Sequence, residues 1–482
     1  MSNALWTSAE IAAATGGQAS ADFEVTGLSI DTRSLKDGEL FVALKDARDG
    51  HDFAGNAFAA GASGALVSRP VEGDPTIIVE DVLPGLEQLG VAARERAADC
   101  YRVAVTGSVG KTSFKEMVAR MFRALGPAHW NEKSFNNQWG VPLTLARMPR
   151  ETERAVFEIG MSTPGEIAPR SLMVAPHTSV ITKIAAVHLE GLGSIEAIAH
   201  EKADIFTGLL KGGYAIIPFD DDFAPLLSDL AKQHQPDFKL LTFGMGRGPD
   251  AGVLDVYSNG KTTQAIISVH GREVSISLNA VGAHWAVNAA AALLSVCPDS
   301  DEHLGAAANA LDGYTPPDGR GQVETLALPG GGTFTLVDDS YNANPTSMAA
   351  ALRALAARPG RRKLVALGAM GELGPTSKVL HAGMLDDVLA SNAEQVWMSG
   401  EDMKALAECL PATLSAEWSE RAANLVDAAK NTLKDGDTLL IKGSNASGMV
   451  QFAEALRQWS ARTDGQVMDD GAERAARVDD AV

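Results

Sequence analysis

The run Val103-Ala104-Val105-Thr106-Gly107-Ser108-Val109-Gly110-Lys111-Thr112-Ser113 carries the strongest chemical signal in the chain. A buried-strand pattern feeds a glycine-containing loop, and a helical pattern follows from about Phe114 to Leu125, which is the order of a phosphate-binding loop. Glycines let backbone N–H groups turn toward a phosphate, and a helix N-terminus adds positive potential. Lys111 can reach the terminal phosphates and the Thr112 hydroxyl can ligate Mg²⁺, so ATP or GTP is the implied ligand. The strict spacing G-x-x-x-x-G-K-[ST] would place glycine where Val105 stands, which leaves a chance Gly-Lys-Thr loop as the alternative.

Other polar residues recur at strand ends. Glu158 closes the apolar run Ala155-Val156-Phe157, a position suited to a magnesium ligand beside a phosphate loop, or else to a surface glutamate. His188 follows the strand pattern Thr178 to Ile184 in the same fashion, as a ligand or as a structural histidine. Lys202 lies on a helical pattern where a solvated lysine would also serve. Asn136 and Asn137 precede a helical segment beginning near Pro142, where capping explains them equally well. His284 and Asn288, four apart on a helix, share one face that could cradle a base or solvate a helix end. Asp338-Asp339-Ser340-Tyr341-Asn342-Ala343-Asn344-Pro345, Gly368 to Gly374 and Lys442-Gly443-Ser444-Asn445 each follow a strand pattern, and three polar loops on one sheet edge suggest a further site.

The elements that must position these groups are layered α/β. Residues 1–84 alternate short apolar runs with polar turns and read as a small α/β domain. Residues 85–316 alternate strand and helix patterns, which argues a mostly parallel sheet covered on both faces, with antiparallel strands appended between Gly252 and Leu278. Tyr314 to Gly321 concentrates Pro and Gly as a connection, and residues 317–464 resume the α/β rhythm as a smaller doubly wound domain. Residues 465–482, Gly465 to Val482, turn polar and are expected to be a disordered acidic tail. The fold class is therefore α/β in three domains, since one core rarely serves more than roughly 300 residues and the chain has 482.

Composition narrows the partners. With 41 Lys+Arg against 61 Asp+Glu the formal charge is −20, which repels nucleic-acid backbones and anionic membranes. Cys100, Cys297 and Cys409 lie far apart, which supports neither a disulfide framework nor a cysteine zinc site and fits a reducing cytoplasm. Met1 to Gly17 lacks a basic segment followed by an apolar one, and no apolar stretch approaches the roughly 20 residues that span a bilayer.

Taken together these residues resemble the Mur ligase family of peptidoglycan synthesis, over about residues 25–460. That family uses a shortened loop, G-[ST]-x-G-K-[ST], which Gly107 to Thr112 fits without the missing glycine. Phe135-Asn136-Asn137-Gln138-Trp139-Gly140-Val141-Pro142 and His188-Leu189-Glu190-Gly191 are similar to its central-domain signatures, although Trp139 replaces an aliphatic residue and Trp285 stands where asparagine usually follows His284. Asp338 to Pro345 and Leu367 to Gly374 look like the branch that joins D-alanyl-D-alanine to UDP-N-acetylmuramoyl-tripeptide; the Asp-Asn-Pro-Arg motif of the diaminopimelate-adding branch is missing.

The resemblance implies roles for particular residues. Lys111 and the loop Gly107, Ser108, Val109, Gly110, Thr112 and Ser113 would hold ATP phosphates. Thr112 and Glu158 would bind one Mg²⁺ and His188 a second, with Lys202 carbamylated so that it carries a carboxylate. Asn137, His284 and Asn288 would face the nucleotide, Asn288 at the adenine, with Arg320 and Asp339 closing on it through a hinge near Tyr314 to Gly321. Asp31, Thr32, Arg33, Asp49, Gly50 and His51 would hold the uridine-diphosphate end, and Asn136, Tyr341, Asn342 and Asn344 the rest of the substrates. The implied protein is a monomeric cytoplasmic ligase working through an acyl phosphate. The competing expectations are a folylpolyglutamate synthase, which would not need the Asp31 to Phe53 region, and a nucleotide-binding scaffold without catalysis.

Overall fold

The computed structural model describes residues 4–132, 135–358 and 360–461, so the expected tail at Gly465 to Val482 lies outside the described residues. The chain divides into two compact units, residues 1–316 with Glu372–Pro375, and residues 317–371 with 376–482.

The first unit opens with a sheet in the order Gln18–Ala19, Thr76–Ile78, Gly64–Val67, Glu39–Val42, Gly27–Ser29, parallel except at the Gln18–Ala19 edge. Helix α1 (Val82–Arg96) starts at the Asp81 cap, whose carboxylate accepts from Leu83 N. It buries Val82, Leu86, Leu89 and Ala93 against Leu40, Leu66 and Ile77 of that sheet. The boundary expected at residue 84 therefore falls inside a helix whose apolar face belongs to the N-terminal layer. The same core takes in Leu143 and Ala146, and Trp6 Nε1 donates to Ala146 O at 2.8 Å, which joins this layer to the next.

That next layer is a nine-stranded sheet. Its strands are β1 (Tyr101–Thr106), β2 (Ala128–Trp130), β3 (Arg154–Glu158), β4 (Thr178–Ile181), β5 (Gly213–Pro218), β6 (Phe238–Met245), β7 (Ala251–Ser258), β8 (Thr263–Val269) and β9 (Arg272–Leu278). They lie in the order β9-β8-β7-β6-β5-β4-β1-β3-β2 and are parallel up to β7, with β7, β8 and β9 antiparallel. Alternate residues of β1 serve opposite cores: Val103 and Val105 pack with Phe114, Met117 and Met121 of α2 (Lys111–Leu125), while Ala104 packs with Phe157, Ile198 and Phe206. A sheet apolar on both faces needs cover on both, and the helices α2, α3 (Gly140–Ala146), α4 (Ile195–Ala203) and α5 (Ala283–Val296) contribute to it.

The second unit is a six-stranded sheet of β10 (Gln322–Ala327), β11 (Thr333–Asp339), β12 (Lys363–Gly368), β13 (Gln395–Ser399), β14 (Ser415–Ser419) and β15 (Thr438–Lys442), ordered β10-β11-β15-β12-β13-β14. Only β10 runs antiparallel. Helix α6 (Pro345–Ala356) begins with Asn344 as cap and proline in the first turn, and α7 (Met449–Ala461) packs Met449, Phe452, Ala453 and Leu456 on Leu336, Leu439 and Ile441. The three-domain α/β reading of the sequence agrees with this arrangement.

Candidate active site

The loop between β1 and α2 is shaped by two glycines. Gly107 has φ +147, and a Cβ there would lie 1.9 Å from Thr182 Oγ1; Gly110 has φ +85, and its Cβ would lie 2.8 Å from the Asn288 amide. Ser108 braces the loop: its N–H donates to Lys183 O at 2.8 Å and its hydroxyl to Ala185 O at 2.9 Å. Thr182 Oγ1 donates to Val109 O at 2.5 Å. The segment after β4 is thus a strap under the loop, which is why the strand ends at Ile181 rather than at the expected Ile184. The amides of Lys111, Thr112 and Ser113 open α2, where no intrahelical acceptor exists for them, and Lys111 Nζ folds back onto Gly107 O at 2.7 Å. The result is a braced ring of donors at a helix N-terminus, suited to an anion.

β3 lies beside β1, pairing Glu158 with Val105, so the carboxylate emerges next to the first turn of α2. Glu158 is 1% exposed, which excludes a surface glutamate. Its Oε2 accepts from Thr112 Oγ1 at 2.8 Å and its Oε1 from Asn136 Nδ2 at 2.8 Å. Both partners are neutral, and no ion pair to Glu158 occurs among the described residues. A buried carboxylate with only neutral donors is costly unless a cation joins it.

Lys202 has the opposite character. It sits in α4 at 1% exposure, which excludes a solvated lysine, and no hydrogen bond or ion pair to its Nζ is found among the described residues. Burial, then the neighbouring Lys111 charge, hold its pKa well below the usual lysine value, with Glu201 opposing. Glu201 itself is committed to the amides of Gly165, Glu166 and Ile167. His188 adopts a left-handed backbone (φ +52) and its Nδ1 is bonded to Glu372, whose carboxyl is lowered by that bond.

Several of the expected contact residues also make local bonds. Asn137 Oδ1 accepts from Trp139 N at 3.3 Å and Gly140 N at 3.0 Å, closing the turn that leads into α3. Asn288 Nδ2 donates to Gly110 O at 3.3 Å, so this side chain steadies the phosphate loop, and His284, next to the buried Trp285, opens the same helix. In the N-terminal layer Asp31 accepts bidentately from Arg33, whose side chain is 75% exposed, and Thr32 lies between them. His51 is buried with both ring nitrogens engaged: Nε2 accepts from Ser68 N at 2.8 Å, so Nδ1 carries the proton bonded to Asp49 Oδ1 at 2.6 Å. That bond holds the Asp49 carboxyl down at about 2. The histidine and Gly50, whose Cβ would collide with Leu44 O at 2.4 Å, shape the loop.

In the second unit, Lys442 Nζ donates to Asp339 Oδ2 at 2.7 Å and to Asn342 O at 2.9 Å. Burial raises the Asp339 carboxyl, with Lys442 and Arg320 opposing. The Arg320 guanidinium lies 4.2 Å over the Tyr341 ring. Asn344 Oδ1 caps α6 through Ser347 N, and Asn342 Oδ1 accepts from Ala343 N. Sequence reasoning did not single out Thr182, Lys115 or Asn131; only Lys115, four residues after Lys111 on one helix, carried a spacing signal.

Among the described residues no group of three or more His, Cys, Asp or Glu side chains is placed to hold a metal, and no helix is long and apolar enough to cross a membrane.

Residues 105–296 match the family of the Mur ligase middle domain, and residues 319–445 that of the Mur ligase glutamate ligase domain. The chain is 33% identical to the UDP-N-acetylmuramoyl-tripeptide–D-alanyl-D-alanine ligase of Escherichia coli, over 91% of this chain and 95% of that one. It is 31% identical to the ligase of the same name from Bacillus subtilis, over 90% and 93%. A solved structure of MurF from Acinetobacter baumannii superposes with a TM-score of 0.82 at 28% identity, covering 94% of this chain and 99% of that one.

Proposed function

The chain belongs to the Mur ligase family, and from that premise we propose that it joins D-alanyl-D-alanine to UDP-N-acetylmuramoyl-tripeptide with hydrolysis of ATP to ADP and phosphate. It is an ATP-dependent amide ligase acting on small molecules in the synthesis of peptidoglycan precursor, and as a cytoplasmic monomer. One observation carries the reading: the buried Glu158 carboxylate, bonded only to neutral donors, sits beside the hydroxyl and amides of a phosphate loop.

The residues fit magnesium by their chemistry. Hard oxygens from Thr112 and Glu158 suit a cation that takes one or two protein carboxylates and completes its shell with phosphate and water. His188 keeps Nε2 for a second ion, since Nδ1 is engaged. Lys202 is buried, has no bonded partner among the described residues, and is held toward the neutral amine, the form that adds CO₂; the carbamate would supply the missing negative charge. When bound, Mg²⁺ supplies charge neutralisation at the β- and γ-phosphates.

In the reaction, Lys111 leaves Gly107 O and pairs with the γ-phosphoryl group as the tripeptide's terminal carboxylate attacks it, and ADP departs. The acyl phosphate formed is attacked by the D-alanyl-D-alanine amine, and the tetrahedral intermediate expels phosphate as the amide forms. Val109, Gly110 and Ser113 shape the anion cradle with Ser108 as its brace, Asn288 is bonded to Gly110 O, and Asn137, His284 and Asn288 are assigned to the nucleotide. Arg320 and Asp339 are assigned to the nucleotide, and Asn136, Tyr341, Asn342 and Asn344 to the peptide substrates. Asp31, Thr32, Arg33, Asp49, Gly50 and His51 form the uridine-diphosphate end, with His51 as its internal tie.

The test is phosphate release from Mg²⁺ and ATP with UDP-N-acetylmuramoyl-tripeptide and D-alanyl-D-alanine, each substrate omitted in turn. Release that needs both, with a pentapeptide product mass, is expected. Release driven by a folate and glutamate would move the chain to the folylpolyglutamate synthases, and ATP binding without turnover on any substrate would make it a scaffold.

A further inference from the structure

Lys115 is wholly buried in α2, four residues after Lys111. Its Nζ donates to Asn131 O at 2.7 Å and pairs with Glu116 Oε1 at 2.8 Å. An interior ammonium is expensive to desolvate, and an apolar side chain would fill the same place at less cost, so the bond it makes is the feature to explain.

Asn131 is also 0% exposed and follows Trp130, the last residue of β2. The β2–β3 pairing ends at Trp130 opposite Val156, so the strand offers Glu158 no further backbone partner on that side. The Asn131 side chain takes over: Oδ1 accepts from Glu158 N at 2.7 Å, while Nδ2 donates to Phe135 O at 2.5 Å. Through this one residue the buried ammonium on the phosphate-loop helix is connected to the main chain that aims the Glu158 carboxylate.

We propose that Lys115 and Asn131 are positioning residues that fix the Glu158 main chain, through the Asn131 carbonyl and amide, in the orientation that receives a divalent cation. The inference rests on the assignment of Glu158 to Mg²⁺ above.

The test measures Mn²⁺ binding to the full chain with ADP present, by electron paramagnetic resonance of the free ion, and ADP binding in EDTA by calorimetry. Asn131→Leu and Lys115→Met should each weaken Mn²⁺ by about tenfold, as loss of an outer support to a metal ligand does, and leave ADP affinity in EDTA unchanged. Asn131→Asp keeps the acceptor for Glu158 N and should restore Mn²⁺ affinity. If Asn131→Leu does not fold, Asn131→Ser, too short to reach that N–H, takes its place. Wild-type Mn²⁺ affinity in these variants, while Glu158→Gln loses the ion, overturns the positioning role and leaves the metal assignment standing. Equal losses of Mn²⁺ and ADP also overturn it, as a general packing defect. Unchanged Mn²⁺ affinity in Glu158→Gln itself overturns both.

Discussion

Thr112 Oγ1 donates to Glu158 Oε2 at 2.8 Å, tying the first turn of α2 to the end of β3 across 46 residues of sequence. The two oxygens are hard donors at the first turn of α2, so under the proposed magnesium site loss of the hydroxyl should act on the metal before it acts on the nucleotide. Thr112→Ala is expected to raise the Mg²⁺ concentration for half-maximal turnover by about tenfold, and Thr112→Ser to stay near wild type. Magnesium titrations of steady-state phosphate release check this; an unchanged midpoint in Thr112→Ala would remove the hydroxyl from the site.

Lys111 donates to the loop carbonyl Gly107 O at 2.7 Å from a half-buried position at the start of α2. Truncating it should therefore cost little stability while removing a charge that neutralises the transferring phosphoryl group. Lys111→Ala is expected to lower turnover by about 10²-fold or more with the thermal unfolding midpoint near wild type. Near wild-type turnover would show that the loop does not handle the γ-phosphate.

Burial and the Lys111 charge both favour the neutral amine of Lys202, the form that carbamylation requires. Lys202→Ala should lose about 10²-fold in turnover and recover part of it with added acetate or formate, which replace the carbamate's negative oxygens. Wild-type enzyme equilibrated with ¹³C-bicarbonate should show a carbamate carbon resonance that Lys202→Ala lacks. Full activity in the alanine variant, or no such resonance, would leave Lys202 as a plain buried lysine. Acidification through the depressed pKa protonates the amine and should release CO₂, so activity at limiting bicarbonate should fall at the acid side.

How far the sequence could be read depended on whether a residue's environment is local. The strand–loop–helix around Gly107 to Thr112 announced itself because strand period, glycine and helix pattern are all short-range. The antiparallel strands between Gly252 and Leu278 announced themselves through alternation. Thr182 and Asn131 were silent, because a threonine or asparagine becomes a strap or a strand extension only through partners placed by the sheet. Asn137 kept a turn reading open in sequence, and its Oδ1 closes the turn before α3; Asn344, read only as part of a polar loop, caps a helix. The α1 boundary escaped for a similar reason: an apolar helical face does not say which of two sheets it will cover.

Two histidines in the first unit are held neutral. Burial pushes His129 down to about 4 against its ordinary 6.5, and burial with the Arg102 charge does the same to His177. His177 Nδ1 accepts from Arg102 N, so a proton there breaks the bond. Between pH 6.5 and 4 the unfolded chain binds protons that the folded chain refuses; stability is complete above 6.5 and is lost as pH falls toward 4. Urea unfolding across that window should show the decline. His177→Asn, whose amide oxygen can still accept from Arg102 N, should decline less steeply. An identical slope would assign the acid sensitivity to other groups.

Lys442 is 2% exposed and holds Asp339 and the Asn342 carbonyl together, tying both ends of the polar loop after β11 to one ammonium. Lys442→Met keeps most of the stem's packing and removes the charge, which leaves a carboxylate that burial already disfavours without its main partner. The expected cost is about 3 kcal/mol in urea unfolding at neutral pH. The sign with pH separates this from simple loss of packing. Asp339 already has a raised pKa, and without Lys442 it rises further, so the folded variant takes up a proton before the unfolded chain does. Acidification should therefore narrow the gap between variant and wild type. A packing defect would give a gap independent of pH, and a loss under about 1 kcal/mol would place the pair among solvent-screened surface bridges.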